Sequence, residues 1–392
     1  MFKFIADTVV SGKAYPALAQ WQAKPYTTEW RQFSQHWPYT IPVDLHDHCA
    51  THEFPYTLKT TKDIYRWHNF YTIGLGFFDF NIDYFDLLEP NVLEEVHTLN
   101  LRVLFYYDEG DNPQRIKQRL DSLCLKHQLS LDCYRFVSAN TAADHVNNFV
   151  YFPCDELLYW HRNKESPALT IHTNHRPYNF TLLSRTHKWW RASVVADLHQ
   201  HGILDTSLWS YNTDLPLNDD PADNPIQIGT LGLTDTVTQF VNNGPYTCDQ
   251  LTAEQHNNHH ITVPEHYTQS YCNIVLETHF DADQSGGAFL TEKTFKPIKH
   301  GQPFVIVGGP GSLQVLRDLG YRTFDHAIDN SYDLELDNTR RWLKLLQAIE
   351  QIQSQDMHSW FLECADDVKH NQQLFLASKK DRLNNLYDKL LH

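Results

Sequence analysis

The residues best suited to chemistry in this sequence lie in one short segment, residues 289–311. Within it, Glu292 is followed closely by Lys293 and Lys296. A carboxylate can accept two hydrogen bonds from a ribose diol, and lysines neutralise a diphosphate. Thr291 is a good helix N-cap, which places Glu292 in the first helical turn, where a carboxylate suits the helix dipole. These residue types and positions suit the ribose and the diphosphate of a nucleotide sugar.

A second basic group lies more than a hundred residues earlier in the chain. Arg185, Lys188 and Arg191 come at or just after the start of a helix that follows a predicted strand at 178–184. The ends of strands and the starts of helices are where α/β sheets bind ligands, and Glu277 after another predicted strand has a similar position. Diphosphate is the leaving group of sugar transfer, so cations placed on it would stabilise the developing charge.

These residues also have plainer interpretations. Glu292 and Lys296 have the i,i+4 spacing of an ordinary surface pair. The group from Arg185 to Arg191 is also typical of a solvated basic face, and Glu277 of an exposed strand end. The compact strand, turn and helix predicted by the glycines and prolines of 301–311 favour the functional interpretation.

The elements needed to position these residues follow from the hydrophobic pattern. An apolar run, a helical stretch and a second apolar run predict a βαβ unit and a parallel sheet. In the second half, Thr291 starts a helix that Gly301 ends, FVIVG is a buried strand, and Ser312 caps a further helix. We predict strands at 40–45, 71–80, 101–107, 131–138, 148–152, 178–184 and 271–278, with helices over most of the tail from 338.

The domain organisation follows from a polar, proline-containing stretch near 160–168. We expect an acceptor-side Rossmann-like domain at 1–165, a donor-binding Rossmann-like domain at 166–340 and a C-terminal helical segment at 341–392. The predicted fold class is α/β, with two Rossmann-like domains facing across a cleft.

A family resemblance supports this organisation. The stretch FLTEKTFKPIKHGQPFVIVGGPGSLQVLRDLGYRTFDHAIDNSYD resembles the donor side of GT-B glycosyltransferases related to the α1,3-fucosyltransferase superfamily. LRDLGYRTF and IDNSYD are closest to glycosyltransferase-like proteins of phages and marine bacteria. The stretch LLSRTHKWWRASVVADLHQHGILDTSLWSYN resembles the same group, although Ser184 stands where that group is expected to have Asn. The resemblance covers residues 178–335 well and the first half more weakly.

The resemblance implies an activity and assigns roles within it. It implies a metal-independent enzyme that moves a hexosyl or fucosyl group from a nucleotide-diphosphate sugar to an acceptor hydroxyl. Glu292, in the Thr-Glu-Lys helix start, would bind the ribose or the donor sugar. Lys293, Lys296 and Arg185 would hold the diphosphate, with Arg191 in support. No cofactor is implied beyond the donor substrate.

The acceptor hydroxyl requires a general base if the enzyme inverts, and the first half offers two groups of candidates. Glu109 and Asp111 directly follow the strand at 101–107, although Asp111 also begins a good helix entry. Asp47 and His48 belong to a second group, the Asp- and His-rich cluster at 44–53.

The cluster at 44–53 also has the ligand types of a metal site, so a metal-dependent hydrolase is an alternative function. Asp281 and Asp283 match the DxD motif with which GT-A enzymes hold a metal. That motif is frequent by chance, and the neighbouring GT-B pattern predicts no metal. We therefore expect no metal at either place.

Composition limits the remaining choices. The net charge of −16 does not favour nucleic acid or anionic membrane as a partner. A phage-type enzyme that glycosylates hydroxylated DNA bases remains an alternative, as does a non-catalytic glycan- or sugar-nucleotide-binding protein. The seven scattered cysteines and the lack of an apolar run long enough for a membrane span predict a cytoplasmic protein, or a host-cytoplasmic one if phage-encoded.

Overall fold

The protein divides into two compact units that are described separately. The computed structural model describes residues 2–5, 56–59, 69–75, 78–88, 90–162, 174–213, 221–248, 262–281 and 286–391. The first unit comprises Met1–Arg162 and Ser378–His392, and the second comprises Asn163–Ala377. Each contains a parallel sheet and helices, so the predicted α/β class is confirmed.

The first unit is built on a six-stranded parallel sheet with the order β2-β1-β3-β4-β5-β6. Its strands are β1 Phe2–Ile5, β2 Tyr56–Lys59, β3 Asn69–Leu75, β4 Arg102–Tyr107, β5 Tyr134–Ser138 and β6 Phe149–Tyr151. Its helices are α1 Pro90–His97, α2 Pro113–Lys126, α3 Cys154–Arg162 and, from the end of the chain, α12 Lys379–Leu391. All but the first residue of β4 are buried, as expected for a central parallel strand.

Local sequence signals explain helix α2. Asn112 accepts a hydrogen bond from the Gln114 backbone N–H, and Pro113 occupies the first turn. Ile116 and Leu120 are buried against the sheet at helical spacing. The predicted helix is therefore confirmed.

Two of the predicted strands in this unit have the wrong boundaries, and a third cannot be compared with the structure. The predicted strand 131–138 begins with a 3₁₀ turn at Leu131–Cys133, because Ser130 caps that turn through the Asp132 N–H. Pairing starts only at Tyr134. The predicted strand 71–80 ends at Leu75. The predicted strand 40–45 lies outside the described residues.

The second unit contains a four-stranded parallel sheet with the order β10-β9-β7-β8. Its strands are β7 Tyr178–Ser184, β8 Leu208–Tyr211, β9 Ser270–Leu276 and β10 Phe304–Val307. Its helices are α4 Trp189–Gln200, α5 Thr234–Asn243, α6 Pro264–Thr268, α7 Glu292–His300, α8 Ser312–Asp318, α9 Asn338–Gln353, α10 Met357–Glu363 and α11 Ala365–Ala377. Every residue of β9 and β10 is buried, so these strands form the centre of the unit.

Helix α7 has the predicted limits. The Thr291 hydroxyl accepts a hydrogen bond from the Lys293 N–H, and Gly301 ends the helix in the left-handed conformation at φ 69°. A side chain at that φ would be strained, which explains the glycine. Pro297 lies within the helix.

The start of helix α8 differs from the prediction that Ser312 is its cap. Gly311 is the N-cap residue, and the Ser312 hydroxyl donates instead to the Gly309 carbonyl at 2.7 Å. The Asp333 carboxylate accepts the Leu313 and Gln314 N–H groups at 2.9 and 3.2 Å. The cap therefore comes from a residue distant in sequence.

Helix α12 packs within the first unit through charged groups. Arg382 Nε lies 2.9 Å from Glu156 Oε2, and the Ser378 hydroxyl donates to the other oxygen at 2.8 Å. Glu156 is 2% exposed, so the carboxylate of this ion pair is buried and hydrogen-bonded. Lys389 adds a contact with Asp144 at 2.6 Å.

None of the helices in the described part of the chain combines the length and the apolar composition needed to cross a membrane.

Candidate functional site

The predicted donor residues lie at one edge of the second sheet. Strands β7 and β9 are parallel and adjacent, so their carboxyl ends meet at the same edge. Arg185 directly follows β7, and Glu277 directly follows β9. Ligands of parallel sheets bind at this kind of edge.

Two lysines from distant segments converge on Thr278. Lys188 Nζ donates to the Thr278 carbonyl at 2.8 Å, and Lys293 Nζ lies 3.4 Å from the Thr278 hydroxyl. Lys188 is the residue before helix α4, and Lys293 is in the first turn of α7. The sequence predicted both lysines, and the fold brings them to one residue.

Glu292 is beside these cations and is buried. Its side chain is only 7% exposed, and Lys293 Nζ lies 3.3 Å from Glu292 Oε1. Lys293 also donates to the Thr291 hydroxyl at 3.1 Å. The first turn of α7 thus holds a carboxylate and an ammonium group side by side.

Arg185 interacts with the same carboxylate. Burial lowers the pKa of Arg185, and the negative charge of Glu292 opposes that shift. Arginine remains charged at neutral pH despite such shifts, so Arg185 contributes a cation to the edge. The predicted residues Arg185, Lys188, Glu292 and Lys293 therefore form one cluster with Thr278, which we call the edge cluster.

Arg191 is close to the edge cluster but directs its donors to backbone. It is 3% exposed, and its Nε and Nη2 donate to the Glu277 carbonyl at 3.2 and 2.5 Å. Its Nη1 donates to the Thr186 carbonyl at 3.2 Å. These contacts tie the start of α4 to the end of β9.

Lys296 lies one turn further along α7 and lines a small crevice. The crevice has a volume of about 100 Å³ and is bordered by Lys293, Tyr267 and the β9 residues Asn273–Leu276. Ligand pockets are typically about 300–1,000 Å³, so the crevice alone is too small for a nucleotide sugar. Burial, followed by the charges of Lys299 and Lys296, lowers the pKa of nearby His300 to about 4.

The predicted acceptor-side bases lie in the first unit or outside the described residues. Glu109 and Asp111 follow β4 and are exposed. Asp111 accepts a hydrogen bond from the Tyr107 hydroxyl. Asp47 and His48, with the rest of the cluster at 44–53, lie outside the described residues.

Within the part of the chain that is described, one group offers several metal-ligand atoms close together: Asp83, Asp86 and His127. Lys126 Nζ lies 2.6 Å from Asp83 Oδ2, and His127 Nε2 lies 3.0 Å from the same carboxylate. The lysine already supplies positive charge to Asp83, which makes this an ion-pair cluster. Of the DxD pair, Asp281 is described and Asp283 is not.

Sequence reasoning missed several polar residues at the same edge. Thr278 and Thr294 have no distinguishing local pattern, since a single threonine is common in any loop or helix. Asp333 lies within the IDNSYD stretch, yet its capping of α8 is a contact across 20 residues. Arg341, 1% exposed, donates to the Phe280 carbonyl and holds the chain after β9.

Comparisons with known proteins give little further information. No protein-family model matches the sequence, and no curated protein is significantly similar to it. Among solved structures, the chain aligns with the crystal structure of the DNA modifying enzyme beta-glucosyltransferase, determined in the presence and absence of the substrate uridine diphosphoglucose. The alignment covers 100% of this chain and 99% of that chain, at 9% identity and a TM-score of 0.38. A likeness this remote supports no conclusion about the substrate or the acceptor of this chain.

Proposed function

We propose that the protein is a glycosyltransferase of the GT-B type that moves a sugar from a nucleotide-diphosphate sugar to an acceptor hydroxyl. In this proposal the second unit binds the donor and the first unit binds the acceptor. One observation carries it: Lys188 and Lys293, from distant segments, converge on Thr278 at the carboxyl edge of a parallel sheet.

The charges of the edge cluster suit a diphosphate. Lys188, Lys293 and Arg185 supply positive charge from three positions around the ends of β7 and β9. A charge-assisted hydrogen bond contributes roughly 1.5–3 kcal/mol, so two or three such contacts give substantial binding. In sugar transfer the same cations would stabilise the negative charge that develops on the departing diphosphate.

The Glu292 carboxylate suits the ribose of the donor. Its side chain is 7% exposed and is held beside Lys293. Vicinal hydroxyls bind well to a carboxylate, because each hydroxyl can donate one hydrogen bond. Placing the ribose on Glu292 would direct the diphosphate toward the neighbouring cations.

The proposed reaction exchanges one bond at the anomeric carbon of the sugar. The bond from that carbon to the diphosphate oxygen breaks, and its electron pair leaves with the diphosphate. The acceptor oxygen forms the new bond and gives its proton to a base. Glu109, Asp111, Asp47 and His48 remain the candidates for that base.

The sequence resemblance to GT-B enzymes agrees with this proposal, since the matching stretches contain Arg185, Glu292 and Lys293. We propose that side-chain cations take the place of a metal on the diphosphate. Donor hydrolysis or transfer should therefore continue in the presence of EDTA, and its loss would contradict metal independence.

Binding of sugar nucleotides tests the proposal directly. UDP-, GDP- and ADP-linked sugars, with CMP-linked sugars as the single-phosphate comparison, would be screened by thermal shift and then by titration calorimetry. At least one diphosphate donor should raise the melting temperature. No shift with any donor would remove the basis of the proposal, and a shift with CMP-sugars alone would contradict diphosphate recognition.

A pair of variants locates the site. Glu292→Gln should weaken or abolish the donor-induced shift. Glu350→Gln is the matched control, because Glu350 is also hydrogen-bonded, to His201 Nδ1 at 2.8 Å, but on helix α9. The control should keep the full shift. Equal shifts in both variants would place the donor elsewhere.

A further inference from the structure

The buried carboxylate of Glu277 has an unusually complete set of donors. The side chain is 0% exposed and directly follows β9. Its Oε1 accepts the Thr291 N–H at 3.1 Å and the Thr294 hydroxyl at 2.6 Å. Its Oε2 accepts the Thr291 hydroxyl at 2.6 Å and the Thr278 N–H at 3.2 Å. A buried carboxylate is costly unless it is bonded in this way.

The number of these contacts decides what the carboxylate can do. An ionised carboxylate has about four lone-pair positions. The four donors from Thr278, Thr291 and Thr294 match that capacity, which leaves Glu277 without a position for a ligand hydroxyl. In the proposed donor site the Glu277 carboxylate therefore has a structural role and does not contact the donor.

The same residue also holds the other helix at this edge. The backbone carbonyl of Glu277 accepts two hydrogen bonds from the Arg191 guanidinium in helix α4, while its side chain bonds the first turn of α7. Gly308, at the end of β10, leaves room for it, since a Cβ there would lie 3.2 Å from the Glu277 Cβ.

We propose that Glu277 is the positioning residue of the donor site. It fixes the first turn of α7, which bears Glu292 and Lys293, relative to the segment that bears Arg185 and Lys188. This inference rests on the proposed function, because it concerns the geometry of the same edge cluster. A group held to within a fraction of an ångström binds better than one that must be ordered on binding.

The test removes one of the four hydrogen bonds to the Glu277 carboxylate without changing the shape of the side chain that donates it. In Thr294→Val the hydroxyl that donates to Glu277 is replaced by a methyl group. We expect the Kd for a nucleoside diphosphate to rise roughly fivefold, because the side chains at the start of α7 would then have to be ordered on binding. Thr294→Ser restores the hydroxyl and should bind within about twofold of the wild type. Glu277→Gln replaces one carboxylate oxygen, which accepts two of these hydrogen bonds, by an NH₂ group that cannot accept them, and it should weaken binding further.

Thr181→Val is the matched control. Thr181 is also 0% exposed, and its hydroxyl donates to the His266 carbonyl at 2.9 Å, in β7 before the edge. Both valine variants should lose melting temperature to a similar degree. Only Thr294→Val should lose affinity, measured by calorimetry with UDP, GDP, ADP and CDP at a temperature where every variant is folded.

The outcomes separate this inference from the proposed function. If the wild type binds none of the four nucleotides, the proposed function fails and the inference fails with it. If the wild type binds and Thr294→Val binds equally well, only the positioning role is overturned. Equal loss of affinity in Thr181→Val would also overturn it, because the effect would then reflect general stability.

Discussion

Replacing Lys293 by methionine is the sharpest test of the edge cluster. The exchange keeps the length of the side chain and removes its charge. In the structure the Lys293 ammonium lies 3.1 Å from the Thr291 hydroxyl, 3.3 Å from Glu292 and 3.4 Å from the Thr278 hydroxyl. In the proposed complex this ammonium group would contact the diphosphate, so the variant removes one positive charge from the leaving group.

The variant is expected to affect both binding and folding, and the two effects are measured separately. A charge-assisted hydrogen bond contributes roughly 1.5–3 kcal/mol, so the Kd for the nucleoside diphosphate should rise roughly 10- to 150-fold. The Lys293 side chain is 30% exposed, but its partner Glu292 is only 7% exposed. Removing one partner of a buried acceptor costs about 1–3 kcal/mol, so the melting temperature should fall by about 2–12 °C, and binding is measured at a temperature where the variant is folded.

Titration calorimetry at low salt measures the Kd, and Lys344→Met provides the control. Lys344 Nζ lies 2.9 Å from Glu335 Oε2 and its side chain is 41% exposed, so the same exchange removes a Lys–Glu pair that joins helix α9 to the segment before it. The control should bind within about twofold of the wild type. If Lys293→Met also binds within about threefold, Lys293 does not contact the diphosphate, and the convergence on Thr278 loses its functional meaning.

Two further predictions concern stability. Asp333→Ala removes the cap from the Leu313 and Gln314 N–H groups and should lower the free energy of unfolding by about 1–2 kcal/mol, measured by urea denaturation; an unchanged midpoint would show that the cap contributes nothing. Burial lowers the pKa of His300 to about 4 in the folded protein, whereas its pKa in the unfolded chain is 6.5. As the pH drops from 6.5 toward 4, the unfolded state therefore binds a proton that the folded state does not, and the free energy of unfolding decreases. His300→Phe retains a ring against Tyr267 and should reduce the loss of stability between pH 7 and pH 5 by about 2 kcal/mol; the same slope in both proteins would contradict this origin.

The parts of the fold that the sequence predicts well are those set by local contacts. Helix α7 begins and ends as predicted because its signals are its own neighbours, Thr291 on the Lys293 N–H and Gly301 in the left-handed region. Strand β1 has no comparable signal. It is only Phe2–Ile5, and it lies between β2 and β3, more than 50 residues away in sequence. Pairing of that kind depends on the whole sheet and not on the four residues.

The same distinction applies to the candidate site. Residue type, helix position and the family resemblance together predict Arg185, Lys188, Glu292 and Lys293 as donor-binding residues, a role that stays a prediction. Their convergence around Thr278 follows only from the fold. Spacing could not distinguish Glu277, a carboxylate at a strand end, from a ligand-binding residue. Only the three-dimensional contacts show that its oxygens are taken up by Thr278, Thr291 and Thr294.

Two of the helix starts at this edge, those of α7 and α8, already interact with carboxylates of the protein itself. Phosphates often bind at helix N-termini, where the dipole and the unpaired N–H groups attract them. Here the start of α7 already faces the Glu277 carboxylate, and the start of α8 already binds the Asp333 carboxylate. A phosphate at either place would meet a fixed negative charge. If the protein binds a nucleotide donor as proposed, the attraction near α7 and α8 would come from side-chain cations, chiefly Arg185, Lys188 and Lys293, and binding should weaken as salt screens them.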